Sequence, residues 1–182
     1  LENRILEFEH YKTLVNKYCK IDCREINFQN RIILPMLESI CEDNDNNEID
    51  IVDVSTQYKH KESEIHTRQY YANEYTPDLL IAKKWNYNNL LKTEDDYIAV
   101  VEIKSPKIDP LSKRNNHTED EVKSYLLNIN KVILTDCFKW VFYERFSPEP
   151  KSFILYQDGN WVDCASYTWG KLISYIGEII KC

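Results

Sequence analysis

Two short stretches carry side chains able to do chemistry. In "VVEIKSPKID", residues 100–109, a run of β-branched residues is interrupted by Glu102 and Lys104, two positions apart. Side chains alternate across a strand, so a carboxylate and an ammonium would project from one face near the strand's end. Burying that pair costs free energy unless something compensates, so either the charges neutralise one another or they line a site. Upstream, Pro77-Asp78 opens "TPDLLIAKKW". If the two strands pair antiparallel, Asp78 meets Glu102 at one edge of the sheet. Two carboxylates that close raise each other's pKa unless a cation lies between them. Mg²⁺ suits such a pair, because it takes oxygen ligands and retains several waters.

These groups need elements to hold them. "ENRILEFEHYKTLVNKY" places Ile5, Leu6, Phe8, Tyr11, Leu14 and Val15 at helical spacing, and a second helix runs through "CREINFQNRIILPMLESICE" until "DNDNN" ends it. Pro35 in the second helix should kink it. "EIDIVDVSTQY" alternates as a strand, and "IHTRQYYANEY" reads as another strand or a hairpin arm. "TPDLLIAKKW" and "YIAVVEIKS" complete a meander of three or four strands, with Pro77 at a first position where its missing N–H is tolerated. Residues 106–117 are polar and basic and read as a mobile loop. Thr118 should cap the next helix, with Glu121 completing a capping box in "TEDE" before "VKSYLLNI". "KVILT" and "KWVFYERF" form a hairpin, "SFILYQ" and "NWVDCAS" a second one around "DG", and "YTWGKLISYIGEIIK" a closing helix. This order describes an α/β domain with a mixed sheet.

The 182 residues, 43% hydrophobic and 13% aromatic, are enough for one domain with a substantial core. Low-complexity tracts and internal repeats are absent, which argues against disorder or a solenoid. No apolar run reaches the roughly 18 to 20 residues of a membrane span, and the N-terminus lacks a signal-peptide layout. A soluble, cytoplasmic protein with no membrane partner is therefore expected. The first residue is Leu1 and not methionine, which points to an excised domain or a processed product. Six scattered cysteines read as free thiols, and Cys19 and Cys23 do not make a zinc motif. Three glycines leave no phosphate-cradling loop, and the four histidines show no ligand or triad spacing. A net charge of -7 weighs against a nucleic-acid partner, yet a local basic rim from Lys83, Lys84, Lys107, Lys113, Arg114 and Lys123 can coexist with it.

"PD…EIK" resembles the signature of the PD-(D/E)XK nuclease superfamily, which includes many restriction endonucleases, Holliday junction resolvases and DNA-repair nucleases. "REINFQNRIILPML" resembles the helix that supplies an acidic residue ahead of that sheet, with Glu25 in the acidic position. "EVKSY" resembles the QxxxY helix that follows, with Glu121 replacing glutamine and Tyr125 retained. "VILTDCFKWVFYE" is similar to the next segment in the nuclease domains of type I restriction motor subunits.

The resemblance covers about residues 20 to 145. It implies a restriction endonuclease-like mixed β-sheet flanked by helices, with an αβββαβ core, in one domain spanning 1–182. Residues 1–20 are then a helical extension and 146–182 a hairpin-plus-helix addition. It also implies a Mg²⁺-dependent endonuclease, with Mn²⁺ able to substitute. Asp78, Glu102, the Ile103 carbonyl and Glu25 would hold the metal, and Lys104 would orient a water or stabilise charge on the phosphate. Lys107, Lys113, Arg114, Lys123 and Tyr125 would contact the nucleic-acid backbone. The implied substrate is DNA, in restriction, defence or DNA processing. A homodimer or an attached motor or specificity domain would complete a double-strand cutter. The alternatives are a catalytically silent domain that binds DNA or a protein partner, and a ribonuclease on the same scaffold. Against each site residue stands a plain role: an exposed ion pair for Glu102 and Lys104, a turn aspartate for Asp78, a dipole-favoured glutamate for Glu25 and a core aromatic for Tyr125.

Overall fold

The computed structural model describes residues 4–43, 48–55, 70–86, 96–113 and 116–181. A 3-10 turn (Arg4–Leu6) leads into α1 (Phe8–Ile21), whose Tyr11 and Val15, one turn apart, are fully buried. The second helical stretch is continuous but in three parts: α2 (Glu25–Phe28), a π turn (Gln29–Ile33) and α3 (Leu34–Asp43). The irregularity expected at Pro35 takes the form of this wide turn directly before it. Proline offers no N–H to the carbonyl four residues back and its ring crowds that carbonyl, so widening the preceding turn accommodates it.

Among the described residues six strands form the main sheet, adjacent in chain order: β1 (Ile49–Asp53), β2 (Leu79–Lys83), β3 (Tyr97–Ile103), β4 (Lys131–Thr135), β5 (Lys139–Glu144) and β6 (Lys151–Ile154). Every pairing is antiparallel except β3 with β4, which is parallel. A parallel pair needs a crossover, and α4 (Asn116–Leu126) supplies it. The core therefore reads helix, β1, β2, β3, α4, β4, the mixed α/β sheet and αβββαβ order expected.

β3 is buried along its whole length, which is why it reads as a nearly continuous apolar run. One face carries Leu79, Ile81, Val101, Ile103 and Ile133 and packs with Tyr11, Phe28, Ile32, Trp169 and Ile176 of α1, α2, the π turn and α5 (Ala165–Lys181). The other carries Leu80, Val100, Val132 and Leu134 and packs with Val122 and Tyr125 of α4. Among the described residues no helix is long and apolar enough to cross a membrane.

Four local readings change. Residues 70–75, expected to be strand, are turn and bend, and 65–69 lie outside the described residues. Tyr71 and Ala72 are buried in the second cluster, so tertiary packing overrides their strand propensity. α4 begins at Asn116, and Thr118 lies buried inside it in place of capping it. Glu121 is not half of a capping box, because its carboxylate faces the Lys104 ammonium, a stronger partner than a backbone N–H. The C-terminal hairpin divides: β6 extends the main sheet, while β7 (Tyr156–Gln157) and β8 (Asn160–Trp161) turn around Asp158 and Gly159, both at positive φ.

The segment expected to be a mobile loop is held at several points over residues 106–113. Ser105 Oγ accepts the Ile108 N–H at 3.1 Å, and Asp136 Oδ2 accepts the Leu111 N–H at 2.8 Å.

Candidate active site

The strand register builds the site. Leu79 pairs with Val101 and Leu80 with Val100, so one step further Asp78 stands across from Glu102 on the same face. The Asp78 N–H donates to the Val101 carbonyl at 3.1 Å, and Asp78 Oδ2 accepts the Ile103 N–H at 2.7 Å. Lys104 lies two residues beyond Glu102 and shares its face. Its own N–H donates to the Thr135 carbonyl at 2.8 Å, carrying the β3–β4 pairing one residue past the strand and fixing where the side chain starts.

The other half of the site comes from α4. Glu121 and Tyr125, one turn apart, reach the end of β3 together. Lys104 Nζ is 2.8 Å from Glu102 Oε1 and 2.8 Å from Glu121 Oε2, while the Tyr125 hydroxyl donates to Glu102 Oε2 at 2.8 Å. Glu121 Oε1 is 3.3 Å from His117 Nδ1. Glu102, Lys104 and Glu121 are each buried, and Tyr125 wholly so. Glu25, the first residue of α2, comes over the strand end from the opposite helical layer, where its Oε1 accepts the Ser105 N–H at 3.1 Å.

Burial pushes the Glu102 carboxyl above its ordinary pKa, the Asp78 charge pushes it further, and Lys104 opposes both. Asp78 also rises, through burial and then the Glu25 charge, against the Ile103 hydrogen bond. Burial works against the Lys104 ammonium, but Glu102 and Glu121 outweigh it and hold its pKa above the usual lysine value. Lys104 is therefore a permanent cation at neutral pH. Tyr125 is raised by burial and by the Glu102 charge, so it stays a hydroxyl able to donate.

Glu102 and Glu121 thus both contact the one ammonium, Asp78 stands across the strand pair from Glu102, and Glu25 lies on the Ser105 N–H, an acid-rich cluster at the end of a buried strand. Among the described residues no group of three or more His, Cys, Asp or Glu side chains is arranged to hold a metal ion. Two carboxylates from adjacent strands plus the Ile103 carbonyl make a small, all-oxygen donor set. That set fits Mg²⁺, which keeps much of its water shell, better than an ion that wants an all-protein cage. Mn²⁺ shares the preference for carboxylate, carbonyl and water.

The structure thus brings Asp78, Glu102, Ile103, Lys104 and Glu25 together. Lys107, Lys113 and Lys123 are exposed, Lys123 with Asp120 at 3.7 Å, and Arg114 lies outside the described residues. Tyr125, expected to touch the nucleic-acid backbone, is instead wholly buried, because the α4 periodicity turns it to the sheet with Val122. Two buried acids were missed, Glu121 within the cluster and Asp136 in the fold beside it. Glu121 had a signal, its one-turn spacing from Tyr125. Asp136, in "TDCFK", had only the general tendency of aspartate to collect backbone N–H groups in turns.

No family model and no curated protein matches the chain. Among solved structures it is similar to that titled "Characterization and crystal structure of the type IIG restriction endonuclease BpuSI", at 15% identity and a TM-score of 0.46. The likeness covers 81% of this chain, which spans 16% of the length of that protein.

Proposed function

We propose that this chain is a Mg²⁺-dependent nuclease that hydrolyses phosphodiester bonds of DNA as an endonuclease, in restriction, another defence role or DNA processing. The observation that carries this reading is the convergence of Asp78, Glu102 and Lys104 on one face at the end of the buried central strand, beneath Glu25 from the opposite layer. Asp78, Glu102 and the Ile103 carbonyl would hold the cation, and Glu25 would hold a second one, directly or through water. When bound, the ion supplies Lewis acidity toward a phosphate oxygen and toward a water.

The chain's own groups do the rest. Lys104, kept charged by its neighbours, orients the attacking water or neutralises charge that builds on the phosphate. Tyr125 holds the Glu102 carboxylate in one orientation through its hydroxyl. Burial of the cluster excludes bulk water and strengthens each of these interactions. Lys107, Lys113 and Arg114 follow β3 directly in the chain, and with Lys123 on α4 they are the candidates for phosphate contacts outside the cluster. A double-strand cut needs two such sites, from a second copy or an attached domain.

Supercoiled plasmid, linear duplex, single-stranded DNA and RNA incubated with the protein in Mg²⁺, Mn²⁺ or EDTA test the reading. DNA should be cut with either ion and not with EDTA, and plasmid nicking or linearisation marks internal cleavage. Cutting of RNA alone reassigns the substrate, and binding without cutting makes the domain a silent one.

A further inference from the structure

Glu121 stands where the resembled helix pattern has glutamine, and its carboxylate lies in contact with the site's only described ammonium. Lys104 Nζ is 2.8 Å from Glu121 Oε2 and also 2.8 Å from Glu102 Oε1. Tyr125 occupies Glu102 Oε2. Each oxygen of Glu102 therefore already accepts one hydrogen bond, and a divalent cation arriving at Oε1 meets and repels the Lys104 ammonium held there. An ammonium whose side chain is 9% exposed has little water to turn to, and leaving it without an anion is costly. Glu121 is already within reach.

Resting on the metal-dependent reading above, we propose that Glu121 is a positioning residue that retains the Lys104 ammonium when Glu102 turns to a divalent cation. Lys104 then changes from bridging two carboxylates to pairing with Glu121 alone, beside the ion and facing the same phosphate. Tyr125 and Glu121, one turn apart on α4, play complementary parts, the first anchoring one oxygen of Glu102 and the second drawing the ammonium off the other. A glutamine at 121 offers Lys104 a neutral acceptor only, so the ammonium would stay on Glu102 and compete with the cation.

Calorimetric titration with Mn²⁺ of the wild type, Glu121→Gln, Lys104→Met and the double variant tests this. Glu121→Gln should weaken Mn²⁺ binding about tenfold, the lower range for a partner that orients a ligand. In the Lys104→Met background the same change should cost less than about twofold, because the competitor is gone. Equal losses in both backgrounds, which would mean that Glu121 acts on the ion directly through its charge, overturn the proposal, as does no loss in either. Glu121→Asp keeps a carboxylate and should bind within about threefold of wild type; a loss as large as that of glutamine also overturns it, and this arm does not depend on Lys104→Met folding. A wild type that binds no Mn²⁺ overturns the underlying reading together with the proposal, whereas binding that Glu121→Gln leaves unchanged overturns the proposal alone.

Discussion

Two carboxylate centres sit at the same end of the sheet, one after β4 and one between β2 and β3, and they treat their charge differently. Asp136 is 2% exposed and Glu102 6%, so burial does not separate them. Their partners do. Asp136 accepts three backbone N–H groups, from Leu111, Phe138 and Lys139, at 2.8–2.9 Å. Glu102 is held by two side chains, Lys104 and Tyr125, and faces a second carboxylate across the strand pair. Backbone donors move only if the chain moves, so Asp136 is committed to tying residues 106–113 to the β4–β5 turn. Side-chain donors can rotate away, so on the proposed reading Glu102 exchanges a partner for a ligand. A buried acid answered by main-chain groups builds structure, and one answered by side chains and opposed by like charge is available for chemistry.

The largest effect that tests this contrast is on cleavage. Alanine at Asp78, Glu102 or Lys104 should lower the cleavage rate at least about 10²–10³-fold with an unchanged near-ultraviolet circular dichroism spectrum. Asp136→Ala should leave the rate per folded molecule close to wild type. Loss of cleavage from a folded Asp136 variant, equal to that of the site variants, would erase the distinction.

Stability should respond in the opposite sense. Asp136→Ala strands three N–H groups and should cost about 2–4 kcal/mol in urea unfolding, given roughly 1–3 kcal/mol for an unsatisfied buried group. A cost under about 1 kcal/mol would show that water or another acceptor replaces the carboxylate.

The pH dependence sharpens the same point. Asp78 and Glu102 both have folded pKa values raised above those of the unfolded chain. The folded protein then binds protons more tightly, and the stability these groups contribute, fully present below their unfolded values, is lost as pH rises through the raised ones. In EDTA the Tm should fall between about pH 5 and about pH 8, and Asp78→Asn with Glu102→Gln should flatten that fall. Asp136 is raised as well and adds a slope of the same sign that the pair does not remove. A Tm that climbs over this interval, or a double variant with the wild-type slope, contradicts the assignment.

The smallest effect is a gain. Asp78→Asn keeps an acceptor for the Ile103 N–H and removes repulsion with Glu102 and Glu25, so the metal-free protein should become more stable, by up to about 1 kcal/mol, while cleavage is lost. Destabilisation by this change would mean that Asp78, like Asp136, serves the fold.

Much of the site was legible because it depends on local rules. The β-branched run before Glu102 marked a central strand, Pro77 marked the start of its neighbour, and the period of two put Glu102 and Lys104 on one face. Their antiparallel pairing then made Asp78 and Glu102 meet, as the register shows. Glu25 was readable as the acidic start of a helix, although nothing local says that it closes over Ser105. Less was legible where two roles suit one residue. Tyr71 and Ala72 have a neighbourhood that favours a strand but pack as a turn, because the second face of the sheet needs covering there. Glu121 fits a capping box by spacing, and only the nearness of Lys104 takes its carboxylate elsewhere.

By itself, then, the amino-acid order determined which residues could share a strand face and which helices must flank the sheet, since periodicity acts over a few neighbouring positions. Whether Tyr125 touches solvent or Glu102, whether Glu121 caps its helix or holds an ammonium, and whether Asp136 is spent on the backbone were decided only when β3, β4 and α4 came together. Those outcomes rest on competition between partners distant in the chain, where burial removes water as the default partner and the nearest group of opposite charge prevails.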